Sequence, residues 1–479
     1  MSPKALQTLL GELEGSVTVA DDGKVSVSDE ERLRGTPVDT LAQKAVFGDT
    51  GQQAAARWLL WELGQVLGIY PASIHELYVA RGRGQVPVNF TVPAINLRAM
   101  AYDSARAVFR AALPRRVGAL IFEIARSEIG YTDQRPAEYL GVVMAAAIKE
   151  GYRGPLFVQG DHFQVNAKKF KADPEAEVGA VSGLAAEAIM AGFYNIDIDT
   201  STLVDLSYPT VDVSYPTVDE QQRNNYEVCA NLTAFIRERE PEGITISVGG
   251  EIGEIGEKNS DETELRAYMD GYNRTLPKGM VGLSKISIQT GTAHGGVPLP
   301  DGTLAQVKID FNVIKELSRV SREAYGMGGA VQHGASTLPD EAFNQFVQNE
   351  ATEVHLATGF QNIVYDMLPD ELRQRIYDHI KTAHAKEQKE GQTEEQFIYK
   401  TRKKGLGPFK ADLWGLAEDT RGAIRRSLEE KFGFLFDQLN VGDTMEIARR
   451  YTPHVEIHKT LADYGGPAAK AEDTSELAD

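Results

Sequence analysis

At 479 residues, with 42% hydrophobic and 25% charged residues, the chain has the composition of a globular protein, long enough for one large domain with additions or for two to three domains. A net charge of −19 excludes a broad nucleic-acid surface, and the single cysteine, Cys229, excludes an intramolecular disulfide and every multi-cysteine metal site. No apolar run reaches the length of a membrane span and the N-terminus, MSPKALQTLLGELEGS, has no apolar secretory core, so a cytoplasmic protein is expected, with neither membrane nor nucleic acid as partner.

Residues 1–85 carry amphipathic helical signals, notably GQQAAARWLLWELGQVL, and are expected to form a helical N-terminal extension. Over residues 86–370 the pattern changes. Eight short β-rich runs appear: VNFTVPAI (88–95), GALIFEIA (118–125), PLFVQG (155–160), NIDID (195–199), TISVGG (245–250), SKISIQTG (284–291), GAVQHG (329–334) and EVHLATG (353–359). Helix-like segments such as AEYLGVVMAAAIKE fill most of the gaps, which implies parallel βαβ units. Eight such units predict an α/β protein built on a closed (β/α)8 TIM barrel. A doubly wound sheet is the alternative, but no Gly-rich dinucleotide fingerprint follows the first strand. Residues 371–479 read as a helical C-terminal extension, and their last stretch, AAKAEDTSELAD, has the composition of a disordered tail. The tandem DLSYPTV (205–211) and DVSYPTV (212–218) reads as a duplicated loop without catalytic consequence.

In a barrel the chemistry sits where the strands end, because the loops there surround the mouth. Ionisable residues collect at those ends. Asp161 and His162 follow the third strand, Asp199 ends the fourth and Glu251 follows the fifth; the sixth leads to His294, the seventh to His333, and the eighth contains His355. The pair Asp161–His162 reads either as a solvated turn or as a catalytic carboxylate beside a metal ligand. Imidazoles and carboxylates at neighbouring strand ends form an N/O donor set suited to Zn²⁺. On the sixth strand, alternation sends Lys285, Ser287 and Gln289 into the barrel and Ile286 and Ile288 towards the helices. A desolvated Lys285 would suit a Schiff-base mechanism, whereas a paired one would be structural.

At these residues the sequence resembles the class II, metal-dependent fructose-bisphosphate aldolases, from about Val92 to Asp366. VPAINLRAMAYDSARAVFRAA is similar to that family's opening strand and helix, Asp161–His162 to its Asp-His motif, and NIDIDTS to its fourth strand. EIGEIG, TGTAHGG and QHGASTLPDE are similar to its Glu and two His-Gly segments. The resemblance implies zinc, or another divalent metal, held by His162, His294 and His333. Glu251 would be an alternate ligand, Asp199 would lie near the metal, and a monovalent cation is an accompanying expectation. Asp161 becomes the catalytic acid–base group. Asn96, Gly295, Gly334, Ser336, His355 and Thr358 become substrate-binding residues. The implied reaction is reversible cleavage of a phosphorylated ketose, foremost fructose 1,6-bisphosphate to glycerone phosphate and glyceraldehyde 3-phosphate, in glycolysis and gluconeogenesis. The implied assembly is a homo-oligomer formed through the helical extensions. One departure stands out: where the family carries Asn-x-Asp-Thr on strand eight, this chain has HLAT (355–358), so His355 replaces the Asn and Ala357 the Asp. The competing readings are the Schiff-base aldolase through Lys285 and a metal-binding barrel without turnover, acting as a scaffold.

Overall fold

The computed structural model describes residues 3–205, 215–253, 258–291, 309–464 and 477. Each of the eight predicted runs forms a strand: β1 (Val92–Asn96), β2 (Ile121–Ala125), β3 (Gly154–Gln164), β4 (Asn195–Asp199), β5 (Ser247–Glu251), β6 (Lys285–Ile288), β7 (Ala330–Gln332) and β8 (Glu353–Leu356). Every strand pairs in parallel with the next. β8 returns to β1, with Glu353 opposite Val92 and Leu356 opposite Ile95, so the sheet closes into the barrel. The crossover helices start and stop on local signals. Asp261 and Glu264 form a capping box at the head of Glu262–Thr275, and left-handed Gly326 ends Phe311–Tyr325.

β3 is eleven residues long, twice the length of most of its neighbours. Its first residues project beyond β4, which it meets only from Gln159 onward. The exposed edge is covered by a strand from outside the barrel, Ile69–Ala72, paired from Ile69–Gly154 to Ala72–Phe157. The segment before the barrel is therefore not wholly helical: it also contains an antiparallel hairpin, Val17–Val19 with Val25–Val27. Its β-branched alternation about the Asp-Asp-Gly turn outweighs the amphipathic helical signal around it.

The interior is unusual. TIM barrels fill their centre mainly with branched aliphatics, but here Gln159, Asp197, Lys285 and Glu353 form a buried polar layer. Lys285 and Ser287 point inward as alternation predicts. Gln289 does not join them, because β6 ends at Ile288 and the Gln289 Oε1 accepts from the Thr290 and Gly291 amides, both at 2.9 Å.

Both extensions pack on the barrel and on each other. Helix Glu418–Gln438 lies against barrel helix Ala101–Ala112. The chain at 452–464 crosses helix Thr50–Leu67, where Trp58 and Trp61 donate from Nε1 to the carbonyls of Lys459 and Ile457, each at 2.7 Å. Among the described residues no helix is long and apolar enough to cross a membrane. Most of the SYPTV repeat and nearly all of the final twelve residues lie outside the described residues.

Candidate active site

Asp161 and His162 are adjacent, so in a regular strand their side chains would face opposite ways. The register of β3 against β4 shifts between Gly160 and Phe163, which leaves these two residues opposite one. This is a β-bulge, and it turns both side chains toward the mouth. His162 adopts φ +38°, a left-handed conformation uncommon for a residue with a Cβ. Its ring is held by carboxylates, with Nδ1 3.3 Å from Asp199 Oδ2 and 3.6 Å from Glu251 Oε2.

Three imidazoles stand in a row. Ring centroids lie 4.2 Å apart for His162 and His333, and 4.0 Å apart for His333 and His355. His333 Nε2 is 2.8 Å from Ser287 Oγ. His355 sits among carboxylates: Nδ1 is 3.0 Å from Glu123 and 3.1 Å from Asp161, while Nε2 is 2.7 Å from Glu353. Asp161 Oδ1 also lies 3.9 Å from His333 Nδ1.

Among the described residues, His162, Glu251 and His333 present ligand atoms within 4.8 Å of one another; Asp161, His333 and His355 do the same, as do Asp197, Glu353 and His355. The first set fits a divalent cation best, since two imidazoles and a carboxylate are zinc-type donors at the open end of the barrel. Asp199 belongs to none of these sets. It orients His162 and accepts from the Ser201 amide at 3.0 Å and hydroxyl at 2.6 Å. His294 and Gly295 lie outside the described residues.

The charge balance supports a cation. Buried Glu123, Asp161, Asp197, Asp199 and Glu353, with the partly buried Glu251, share this interior with one lysine, Lys285. Burial alone would lower the pKa of His162, but Asp161, Asp199 and Glu251 outweigh it and push it up to about 10. Burial, reinforced by neighbouring carboxylates, raises Glu123 to about 8 and Glu251 to about 8. Protons are thus held where a metal would otherwise balance the charge.

Lys285 does not suit imine chemistry. Its Nζ contacts Gln159 Oε1 at 2.7 Å, Asp197 Oδ2 at 2.9 Å and Glu353 Oε1. Burial would lower its pKa, but the two carboxylates more than reverse that, whereas an imine-forming amine must be neutral. Lys285 is a paired structural cation.

Asn96, Asp161, His162, His333, Gly334, Ser336, His355 and Thr358 all line one open cavity. Arg98, Glu123 and Glu128 line it too, and sequence reasoning missed them. Glu123 had a legible signal, as the lone ionisable residue of the apolar run IFEIA. Glu353 had one as well, two residues from His355 and so on the same face. Arg98 and Glu128 had none: they meet across a loop, at 2.6 Å from Nε to Oε1.

A fructose-bisphosphate aldolase of Campylobacter jejuni is 16% identical, with a TM-score of 0.46, covering 78% of this chain and 98% of its own. A fructuronate-tagaturonate epimerase of Cohnella laeviribosi is 13% identical, with a TM-score of 0.50, covering 90% of each chain. No curated protein matches in sequence. The model of the family described as fructose-bisphosphate aldolase class-II matches residues 87–405, more than half of the chain, and so this protein belongs to the class II fructose-bisphosphate aldolase family.

Proposed function

We propose that the protein performs metal-dependent aldol chemistry on a ketose, with Asp161 moving the proton of the hydroxyl at the bond that breaks. One observation carries this reading: Asp161 emerges from the same bulge as His162, lines the cavity, and has its carboxylate fixed by His355 at 3.1 Å. A divalent cation on His162, His333 and Glu251, with His294 as the family's third imidazole, would polarise the ketose carbonyl as a Lewis acid. Asp161 takes the proton from the C4 hydroxyl as the C3–C4 bond breaks, and that bond's electron pair passes toward the carbonyl. His355, itself held by Glu123 at 3.0 Å, holds Asp161 in place rather than contacting the reacting carbon. Asn96 Oδ1, buried and without a hydrogen-bond partner among the described residues, accepts from a substrate hydroxyl. Gly334, Ser336 and Thr358 receive the substrate's far end.

Fructose 1,6-bisphosphate is the first substrate to test, by coupled detection of the triose phosphates with zinc-loaded protein. Activity that a chelator abolishes supports the reading; activity that survives chelation overturns it. No turnover of any ketose would leave the barrel a metal-binding scaffold.

A second reading is favoured by the cavity's charge. Among the described lining residues one fixed cation, Arg98, faces Glu123, Glu128 and Asp161, a poor match to two phosphates. The epimerase from Cohnella laeviribosi has a similar fold over 90% of this chain. Fructuronate and tagaturonate differ at C4. Breaking the C3–C4 bond, turning the retained aldehyde and reforming the bond inverts that centre with the same residues. Incubation with fructuronate, followed by NMR for tagaturonate, separates the two. The extensions are also proposed to form a homo-oligomer, which light scattering on the full chain would test.

A further inference from the structure

We propose a second, weaker seat for a zinc-type divalent cation on Asp161, His333 and His355, where the ion takes the Asp161 carboxylate as a ligand and stops its proton transfer. The proposal rests on the reading above, in which the first ion lies on His162, Glu251 and His333, and adds an inhibitory ligand to that site.

The donor spacing suits one ion. Around a tetrahedral Zn²⁺ with bonds of about 2.0–2.2 Å, neighbouring ligand atoms stand about 3.3 Å apart. His355 Nδ1 lies 3.1 Å from Asp161 Oδ1, and His333 Nδ1 lies 3.9 Å from the same oxygen, so the set brackets that spacing. All three side chains are buried yet line the open cavity, which gives an ion its way in. Glu123 Oε2, 3.0 Å from His355 Nδ1, brings a second carboxylate beside the seat.

The outer contacts are those of ligating imidazoles. A metal-bound histidine gives its other ring N–H to a nearby acceptor, which fixes the ring. With Nδ1 on the ion, His355 donates from Nε2 to Glu353 Oε1 at 2.7 Å, and His333 donates from Nε2 to Ser287 Oγ at 2.8 Å. The set of Asp197, Glu353 and His355 is not a seat, because the Lys285 ammonium already lies 2.9 Å from Asp197 and against Glu353.

His333 orders the affinities. Its ring stands between those of His162 and His355, with centroids 4.2 Å and 4.0 Å away. One of its nitrogens is committed to Ser287, so the other serves one ion at a time. The second ion therefore binds only in excess over the first. Once there it holds Asp161 Oδ1, and the carboxylate no longer accepts a hydroxyl proton.

The test is titration of the full-length protein with Co²⁺, read by calorimetry and visible absorption, for the parent, His355→Asn, His355→Gln and His162→Ala. The parent should show two binding events, the second at least about tenfold weaker. Both should carry the visible bands of tetrahedral, nitrogen-ligated Co²⁺, which surface carboxylates do not give. The His355 variants should keep the tight event and lose the weak one, and His162→Ala should lose the tight event and keep the other. Turnover of the accepted ketose by the parent should fall as the weak seat fills. A parent that takes up one ion only overturns the proposal, as does a weak banded event that survives in both His355 variants. So does a His162→Ala protein that binds no Co²⁺, or full turnover with the weak seat filled. The titration needs no ketose, so a protein that binds two ions but converts no ketose refutes the reaction and leaves the seat standing.

Discussion

Asp161 and the histidines beside it have separable jobs, so single substitutions should give different signatures. Asp161→Asn is expected to keep stoichiometric metal while kcat falls by about 10²–10⁴-fold, the usual worth of a positioned acid–base group. Elemental analysis beside the rate assay checks both halves, and near-parental kcat would remove Asp161 from the chemistry. His162→Ala and His333→Ala should instead lose metal, since each takes an imidazole from the same donor set. Two variants that both retain full metal would discard that set. Glu123 lends itself to a pH experiment. Its carboxyl keeps its proton in the folded state up to about 8, against an ordinary value of 4.5. Between those values the unfolded chain has released the proton and the folded chain has not, so stability contributed by this group is full at low pH and is lost as pH rises. Glu123→Gln should flatten that decline in the metal-free protein, as read from denaturant midpoints across the same range.

At the scale of elements, β3 does the most to build the site, because its bulge places Asp161 and His162 on one side. The loop after β7 depends on a close approach instead. A Cβ at Gly359 would lie 2.6 Å from the Ser336 carbonyl oxygen, so helix Thr358–Met367 rests directly on the turn that follows His333. Gly359→Ala is expected to cost about 1–3 kcal/mol by forcing the two apart. A raised KM should accompany the lower denaturation midpoint; unaltered values of both would show that the contact yields freely. What the sequence revealed follows from the same physics. The strands were legible because short apolar or alternating runs recur between helical stretches, and β6 even showed which side of Lys285 and Ser287 faces inward. The bulge was not, since one extra residue in a strand leaves no trace in composition. Nor was the pairing of Arg98 with Glu128, which depends on a loop's path rather than on a period. His355 was legible as a site residue, but its setting between Glu123 and Asp161 required two other strands to be in place.

The whole molecule is closed by contacts far apart in sequence. Trp61 is nearly inaccessible, donates to the Ile457 carbonyl and carries Lys459 Nζ 3.4 Å from its ring centroid. Trp61→Ala should cost about 3–5 kcal/mol through the cavity it leaves. Metal content should not change, because the contact is remote from the donor set; a stable variant with depleted metal would instead tie the C-terminal segment to the site.

The polar layer inside the barrel also constrains how this chain can change over evolutionary time. Asp197, Glu353, Lys285 and His355 contact one another and are almost wholly buried. Removing one partner strands an uncompensated charge, at a cost of about 3–5 kcal/mol, whereas replacing the group together can be neutral. The four positions are therefore expected to change together. Lineages that diverge in substrate can vary the loops at the mouth freely, but this layer can be exchanged only through several simultaneous substitutions, and a relative that has lost one of the four should have lost its partners as well.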